Sequence, residues 1–360
     1  MLIKFLATIS ILFNPFTFLF SQFNVDLEQK ADPLPAELPI STSLTADFNF
    51  NPSLANAISS IIISTAKENN PNFLPIRNWN VSQPEIEAKA ALISMVSSVE
   101  TFKPEKNEPS NAFQKKMVPG KILYQKNIEQ VLPIASLTKL MTGLIVLENI
   151  NLDQIVTVTK EAIGAYGDMG GLVVNEKISV KNLLYALLME SSNDAAVALA
   201  DAFGDSSKGQ SLVLLMNKKA EELELENTHF VEPTGYDPAN LSTALDLAEL
   251  VKYSLNKPII WQILKTPSID LLSADGTINH HFTNTNQLLN NRPAIVGGKT
   301  GYTNEAQGCM ILVIEQNLNK IRNYIGQPSS EYLIIIVLGT QERFSETEKL
   351  INWVKEAYIW

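Results

Sequence analysis

The sequence predicts an α+β domain over residues 84–360, an antiparallel sheet covered by helices. Three observations point to it. Strand-like apolar runs stand near both ends of this stretch: residues 90–99 at one end, Met310-Ile311-Leu312-Val313-Ile314 and residues 333–338 at the other. Between them apolar residues recur at steps of three and four, the helical period. There is no internal repeat, so strands at both ends with helices between them suggest one layered domain.

The elements follow in order. Lys4 precedes an almost wholly apolar run, residues 5–20. A short positive flank before such a run reads as a signal peptide or an N-terminal membrane anchor, assigned to residues 1–22. Asn14-Pro15 interrupts the run and no small-x-small cleavage site follows. Residues 23–83 are polar and rich in Pro and Asn, with Pro33, Pro35, Pro39, Pro52, Pro71 and Pro75. They read as a low-order tether. Its one apolar patch, residues 58–63, is too short to span a bilayer.

Residues 90–99 read as a strand, and Lys121-Ile122-Leu123-Tyr124 as its return. Residues 100–120 between them are charged and polar and carry Pro104, Pro109 and Pro119. That makes a hairpin with an unusually long tip. Leu137, Leu140, Met141, Leu144, Ile145 and Leu147 then define a buried helix opened by Ser136. A second helix is expected over residues 180–202, on Leu183, Leu184, Leu187 and Leu188. Further helices are expected over 212–223 and 244–255. The closing amphipathic helix, 346–358, turns Leu350, Ile351, Trp353, Val354 and Tyr358 inward.

Composition excludes some classes. The 360 residues are 45 % hydrophobic, with 28 basic and 38 acidic side chains and a net charge of −10. An acidic chain without a long basic run does not bind nucleic acid through phosphate neutralisation. A single cysteine, Cys309, rules out an intrachain disulfide framework. It sits in an apolar strand and reads as a buried packing residue. His229, His280 and His281 lack metal-ligand spacing, so no metal and no cofactor are expected.

Three motifs can carry chemistry. Ser136-Leu137-Thr138-Lys139 places a hydroxyl and an amine on one helix face. Serine is a poor nucleophile until a base takes its proton, and a lysine desolvated beside positive charge can be that base. Serine–lysine pairs at this spacing also occur at Ser64/Lys67, in the tether, and at Ser254/Lys257, at a helix tail. Only Ser136 opens a buried helix; otherwise it would read as an N-cap serine beside a solvated lysine. Next, Glu190-Ser191-Ser192-Asn193-Asp194 interrupts an apolar helix. Inward-facing hydroxyl and amide groups there need partners, as a proton relay and an amide clamp or as a polar junction between two short helices. Last, Lys299-Thr300-Gly301 follows Ala294-Ile295-Val296. On a strand Lys299 and Gly301 share a face, and Gly301 lets a ligand or another backbone come close.

Taken in order, S-x-x-K, S-x-N and K-T-G form the triple of penicillin-binding proteins and class A β-lactamases. The stretch 84–360 resembles the serine D-alanyl-D-alanine carboxypeptidases, the low-molecular-mass penicillin-binding proteins. The resemblance extends to Pro133-Ile134-Ala135 ahead of Ser136 and to Asp194-Ala195-Ala196. It also covers Met216-Asn217, Asn227-Thr228-His229-Phe230, Pro233-Thr234-Gly235, Ser242-Thr243-Ala244 and Asn284-Thr285-Asn286-Gln287-Leu288-Leu289. It implies a transpeptidase-like fold and an acyl-enzyme mechanism on peptidoglycan stem peptides. Ser136 would be the nucleophile, Lys139 the base, and Ser191 the relay to the leaving amine. Asn193 would hold the substrate amide, and Lys299 and Thr300 its terminal carboxylate. Gly301 would lie at the same cleft, and the backbone N–H groups of Ser136 and Tyr302 would form the oxyanion hole.

β-Lactams would then be covalent inhibitors, and the protein would work outside the cytoplasmic membrane, exported or anchored by its N-terminus. Many relatives carry a further β-rich domain and a C-terminal amphipathic anchor. This chain ends soon after its closing helix, which favours an uncleaved N-terminal anchor. Ser192 stands where the family often has glycine, and the hairpin tip is longer than usual. The E-x-x-L-N glutamate that frees a class A β-lactamase from its acyl-enzyme is missing between Asn193 and Lys299. A D,D-endopeptidase and a non-catalytic wall-binding protein on the same fold remain as alternatives.

Overall fold

The computed structural model describes residues 75–102, 113–118, 121–164, 170–203, 210–291, 294–316 and 331–360. The expected anchor, most of the tether with Ser64/Lys67, and residues 103–112 of the hairpin tip lie outside the described residues. The fold is α+β, as the sequence predicts.

Its centre is an antiparallel six-stranded sheet. Strand β2 (Ala90–Phe102) pairs with both β3 (Phe113–Val118) and β4 (Ile122–Lys126). β2 is thus longer than expected, and part of the segment read as a hairpin tip is strand β3 pairing with its far half. β1 (Ile76–Arg77) precedes them. The other half of the sheet is β11 (Ile295–Thr303), β12 (Gln307–Gln316) and β13 (Glu331–Thr340), in the order β11-β12-β13-β2. Short pairs decorate it: β5 (Leu132–Pro133) with β8 (Leu241–Ser242), β6 (Ile155–Thr157) with β7 (Lys177–Ser179), β9 (Ser268–Leu272) with β10 (Asn279–Thr283), and β1 with β14 (Tyr358–Ile359).

Every residue of β13 is buried. This is why the run reads as continuously apolar rather than alternating: it is covered on both faces. Ile334, Ile336 and Leu338 join one core, while Leu333, Ile335 and Val337 join the other. The second core is closed by α8 (Arg343–Ala357), with Leu350, Ile351, Trp353 and Val354 buried. The first holds the remaining helices. These are α1 (Thr138–Asn149), α2 (Lys160–Ile163), α3 (Val180–Tyr185), α4 (Asn193–Asp201), α5 (Gln210–Glu222), α6 (Ala244–Ser254) and α7 (Pro258–Lys265).

Two expectations change. Residues 180–202 are not one helix. After α3 the chain makes a π turn over Ala186–Glu190, Ser191 takes a left-handed φ of 66°, and α4 starts afresh. Ser192 caps α4, its Oγ accepting from Ala195 N at 3.0 Å. The polar junction is therefore real, and it aims Ser191 away from the helix axis. The folded domain also reaches further back than residue 84. β1 pairs with β14, and Trp353 Nε1 donates to Ser82 O at 2.7 Å.

Candidate active site

The nucleophile turn is built first. Ala135–Leu137 forms a 3₁₀ turn that leads into α1, so Ser136 precedes the α-helix proper. Ala135 has a φ of 47°, and Thr138 Oγ1 donates to Ala135 O at 2.8 Å. Two glycines let other segments press on this turn. A Cβ on Gly301 would lie 3.0 Å from Ser136 N, so β11 runs directly against it. A Cβ on Gly235 would lie 2.0 Å from Ala135 O, and Gly235 already needs a φ of 81°. No side chain fits there.

Lys139, one turn on, is fully buried. Its Nζ donates to Ser136 Oγ at 3.0 Å, Asn193 Oδ1 at 2.6 Å and Thr234 O at 2.5 Å. An ammonium without water is costly, and burial lowers its pKa to about 7 against an opposing pull from the Glu232 charge. Lys299 on β11 is buried likewise, donating to Ser191 Oγ and Thr300 O, both at 2.8 Å. Burial, then the charges of Lys139 and Arg343, hold its pKa well below the usual lysine range. Two ammonium groups in one dry site oppose each other's protonation.

The structure thus brings Ser136, Lys139, Ser191, Asn193, Lys299 and Gly301 into one cluster. Lys299 and Gly301 share a face of β11, as strand geometry requires. Thr300 Oγ1 lies 2.6 Å from Thr285 Oγ1. Tyr302 follows at the strand end and is 49 % exposed. Ser254/Lys257 is unrelated: Ser254 Oγ donates to Val251 O, and Lys257 pairs with Glu148. Cys309 stands opposite Gly301 in the β11–β12 register, buried, its thiol pushed up to about 11 by desolvation. The histidines lie elsewhere: His280 against Glu176, His281 against Asp270, and His229 in a backbone bridge to Leu241.

Sequence reasoning missed Glu232, Thr285 and Arg343. Glu232 accepts from Thr234 N and Gly235 N, each at 2.6 Å. Thr285 was visible only within a segment likeness, and Arg343 lies ahead of the helix expected over 346–358; nothing local marks the first as the partner of Thr300 or the second as a charge acting on Lys299.

A serine bonded to a proton-poor lysine, beside a second buried lysine on a sheet edge, defines an acylating-serine enzyme of the penicillin-binding class. The solved DD-transpeptidase of Streptomyces K15 has this fold: it is 28 % identical at a TM-score of 0.61, over 76 % of this chain and 98 % of that one. The sequence profile of the D-alanyl-D-alanine carboxypeptidase family matches residues 110–323, and the chain belongs to that family. A D-alanyl-D-alanine endopeptidase of Pseudomonas aeruginosa is 33 % identical over 67 % of this chain and 75 % of its own length. A D-alanyl-D-alanine carboxypeptidase of Bacillus subtilis is 36 % identical over 53 % of this chain and 50 % of its own.

Proposed function

We propose that the protein is a serine-type D-alanyl-D-alanine carboxypeptidase that trims peptidoglycan stem peptides through an acyl-enzyme on Ser136. The observation that carries the reading is the buried Lys139 amine, bonded to both Ser136 Oγ and Asn193 Oδ1. Neutral Lys139 takes the Ser136 proton as Oγ attacks the carbonyl of the penultimate D-alanine. The carbonyl oxygen, now negative, sits against the N–H groups of Ser136 and Tyr302, an arrangement worth several kcal/mol in such sites, about 3–4 per donor. The C–N bond breaks as Ser191, backed by Lys299, passes a proton to the leaving amine. D-alanine departs, and water hydrolyses the ester.

Asn193 holds the substrate amide. Lys299 and Thr300 take the terminal carboxylate, and that anion restores the ammonium on Lys299 that burial disfavours. This substrate lies outside the cytoplasmic membrane, and residues 1–22 are assigned the export or anchoring role. Among the described residues no helix is long and apolar enough to cross a membrane.

Intact-mass spectrometry after penicillin treatment tests the reading. Wild type should carry one stable adduct and Ser136→Ala none; an adduct on neither would sink it. The endopeptidase-named relatives favour one second reading, cleavage of cross-links. Product analysis decides: release of free D-alanine from a pentapeptide supports trimming, and monomers released from a cross-linked dimer support cross-link cleavage.

A further inference from the structure

Glu232 lies outside the three motifs, yet its carboxylate organises the back of the site. Oε2 accepts from Thr234 N, and Oε1 from Gly235 N, Asp237 N and Asn240 Nδ2. Three consecutive structural jobs depend on the loop so folded. Thr234 O receives Lys139 Nζ at 2.5 Å. Gly235 packs on Ala135 O, next to the nucleophile. Asn240, fully buried, returns the chain: its O accepts from Ile134 N at 3.2 Å, and its Oδ1 from Val231 N at 2.8 Å. Thr142 Oγ1 on α1 donates to Pro233 O at 2.7 Å and closes the loop on the helix that carries the base.

A loop could be folded by neutral groups alone. A half-buried carboxylate with four donors converging on it also fixes a negative charge at the back of the site. Around the Lys139 amine stand the Ser136 hydroxyl, the Asn193 amide from α4 and Thr234 O. The Lys299 amine on β11 couples to it electrostatically, and Arg343 of α8 in turn acts on Lys299. Glu232 is the anion that acts on Lys139. The loop's other carboxylate, Asp237, is exposed and taken up by Ala239 N.

We propose that Glu232 is a positioning residue for the Ser136–Lys139 pair. Its carboxylate seats Thr234 O and Gly235 against base and nucleophile, and its negative charge balances the cationic side of the site. This rests on the acylating-serine reading above. Burial drives the Lys139 proton off; the Glu232 charge resists. Removing that charge lets Lys139 become neutral at lower pH.

The test is the pH profile of penicillin acylation for the wild type, Glu232→Gln, Glu232→Asp and Ser136→Ala. The neutral variant should move the ascending limb to lower pH by about half a unit or more, with a lower plateau. Glu232→Asp keeps the charge and should hold the limb near its wild-type position while the plateau falls. Glu232→Ala serves in place of Glu232→Gln should the latter not fold, since both are neutral. A lower plateau with an unmoved limb in the neutral variants would overturn the proposal and leave Glu232 a loop-folding residue. A wild type that takes no penicillin, or a Ser136→Ala variant that does, would instead remove the acylating-serine reading on which it rests.

Discussion

Lys139 shows how burial prepares a base. An exposed lysine would hold its proton to about pH 10.4 and could not accept one from serine. Here burial lowers the value to about 7, so the neutral amine dominates above that pH. Acylation by penicillin should therefore rise through about pH 7 and level off above it, as stopped-flow or gel-based labelling would show. Lys139→Arg puts a permanent cation in place of an amine that can lose its proton, and should lower acylation by roughly 10²–10⁴-fold. A flat profile, or an active arginine variant, would mean that another group takes the proton. The Ser136–Lys139 pair was legible in sequence because both residues sit within one helical turn. Glu232 was not, because the donors that converge on it become neighbours only once the 232–240 loop closes.

At the level of elements, the break between α3 and α4 does the most for the site. The apolar period runs through residues 183–200, so the sequence reads as one helix with polar residues set into it. Nothing periodic announces a π turn, whose extra residue per turn shifts register without changing composition. The left-handed Ser191 costs roughly 1 kcal/mol relative to a helical residue. In return its Oγ leaves the helix surface and meets Lys299. Ser192 stabilises the restart as the N-cap of α4. Ser192→Ala should therefore cost about 1 kcal/mol in urea unfolding, and Ser192→Gly only a few tenths. Equal losses for the two would show that Ser192 matters by packing rather than by its hydrogen bond.

For the whole molecule, the question is where the folded unit begins. The sequence placed a tether up to residue 83, because Pro, Asn and charge dominate there and a two-residue strand leaves no period to detect. The structure joins residues 75–83 to the far end of the chain. Asn78 N donates to Ala357 O at 2.8 Å, and Arg77 Nη1 to the same oxygen at 3.1 Å. The Arg77 guanidinium lies 4.9 Å from the Trp353 ring centre and 5.5 Å from that of Tyr358. Trp353 is 5 % exposed, and its indole N–H is satisfied by Ser82 O. A chain that begins at residue 84 leaves that buried donor without its partner, which costs about 1–3 kcal/mol, and loses the arginine stacking as well. At this size each kcal/mol lowers the Tm by about 2–4 °C. Calorimetry should find the shorter chain several degrees less stable than one beginning at Pro75. The penicillin adduct should survive in both, since Ala135, Leu137 and Leu140, which flank Ser136 and Lys139, pack in the first core and Trp353 packs in the second. Equal melting temperatures would mean that β1 and its neighbours merely lie on the sheet; loss of acylation with stability intact would mean that the two cores communicate through β13, the strand whose alternate residues belong to each.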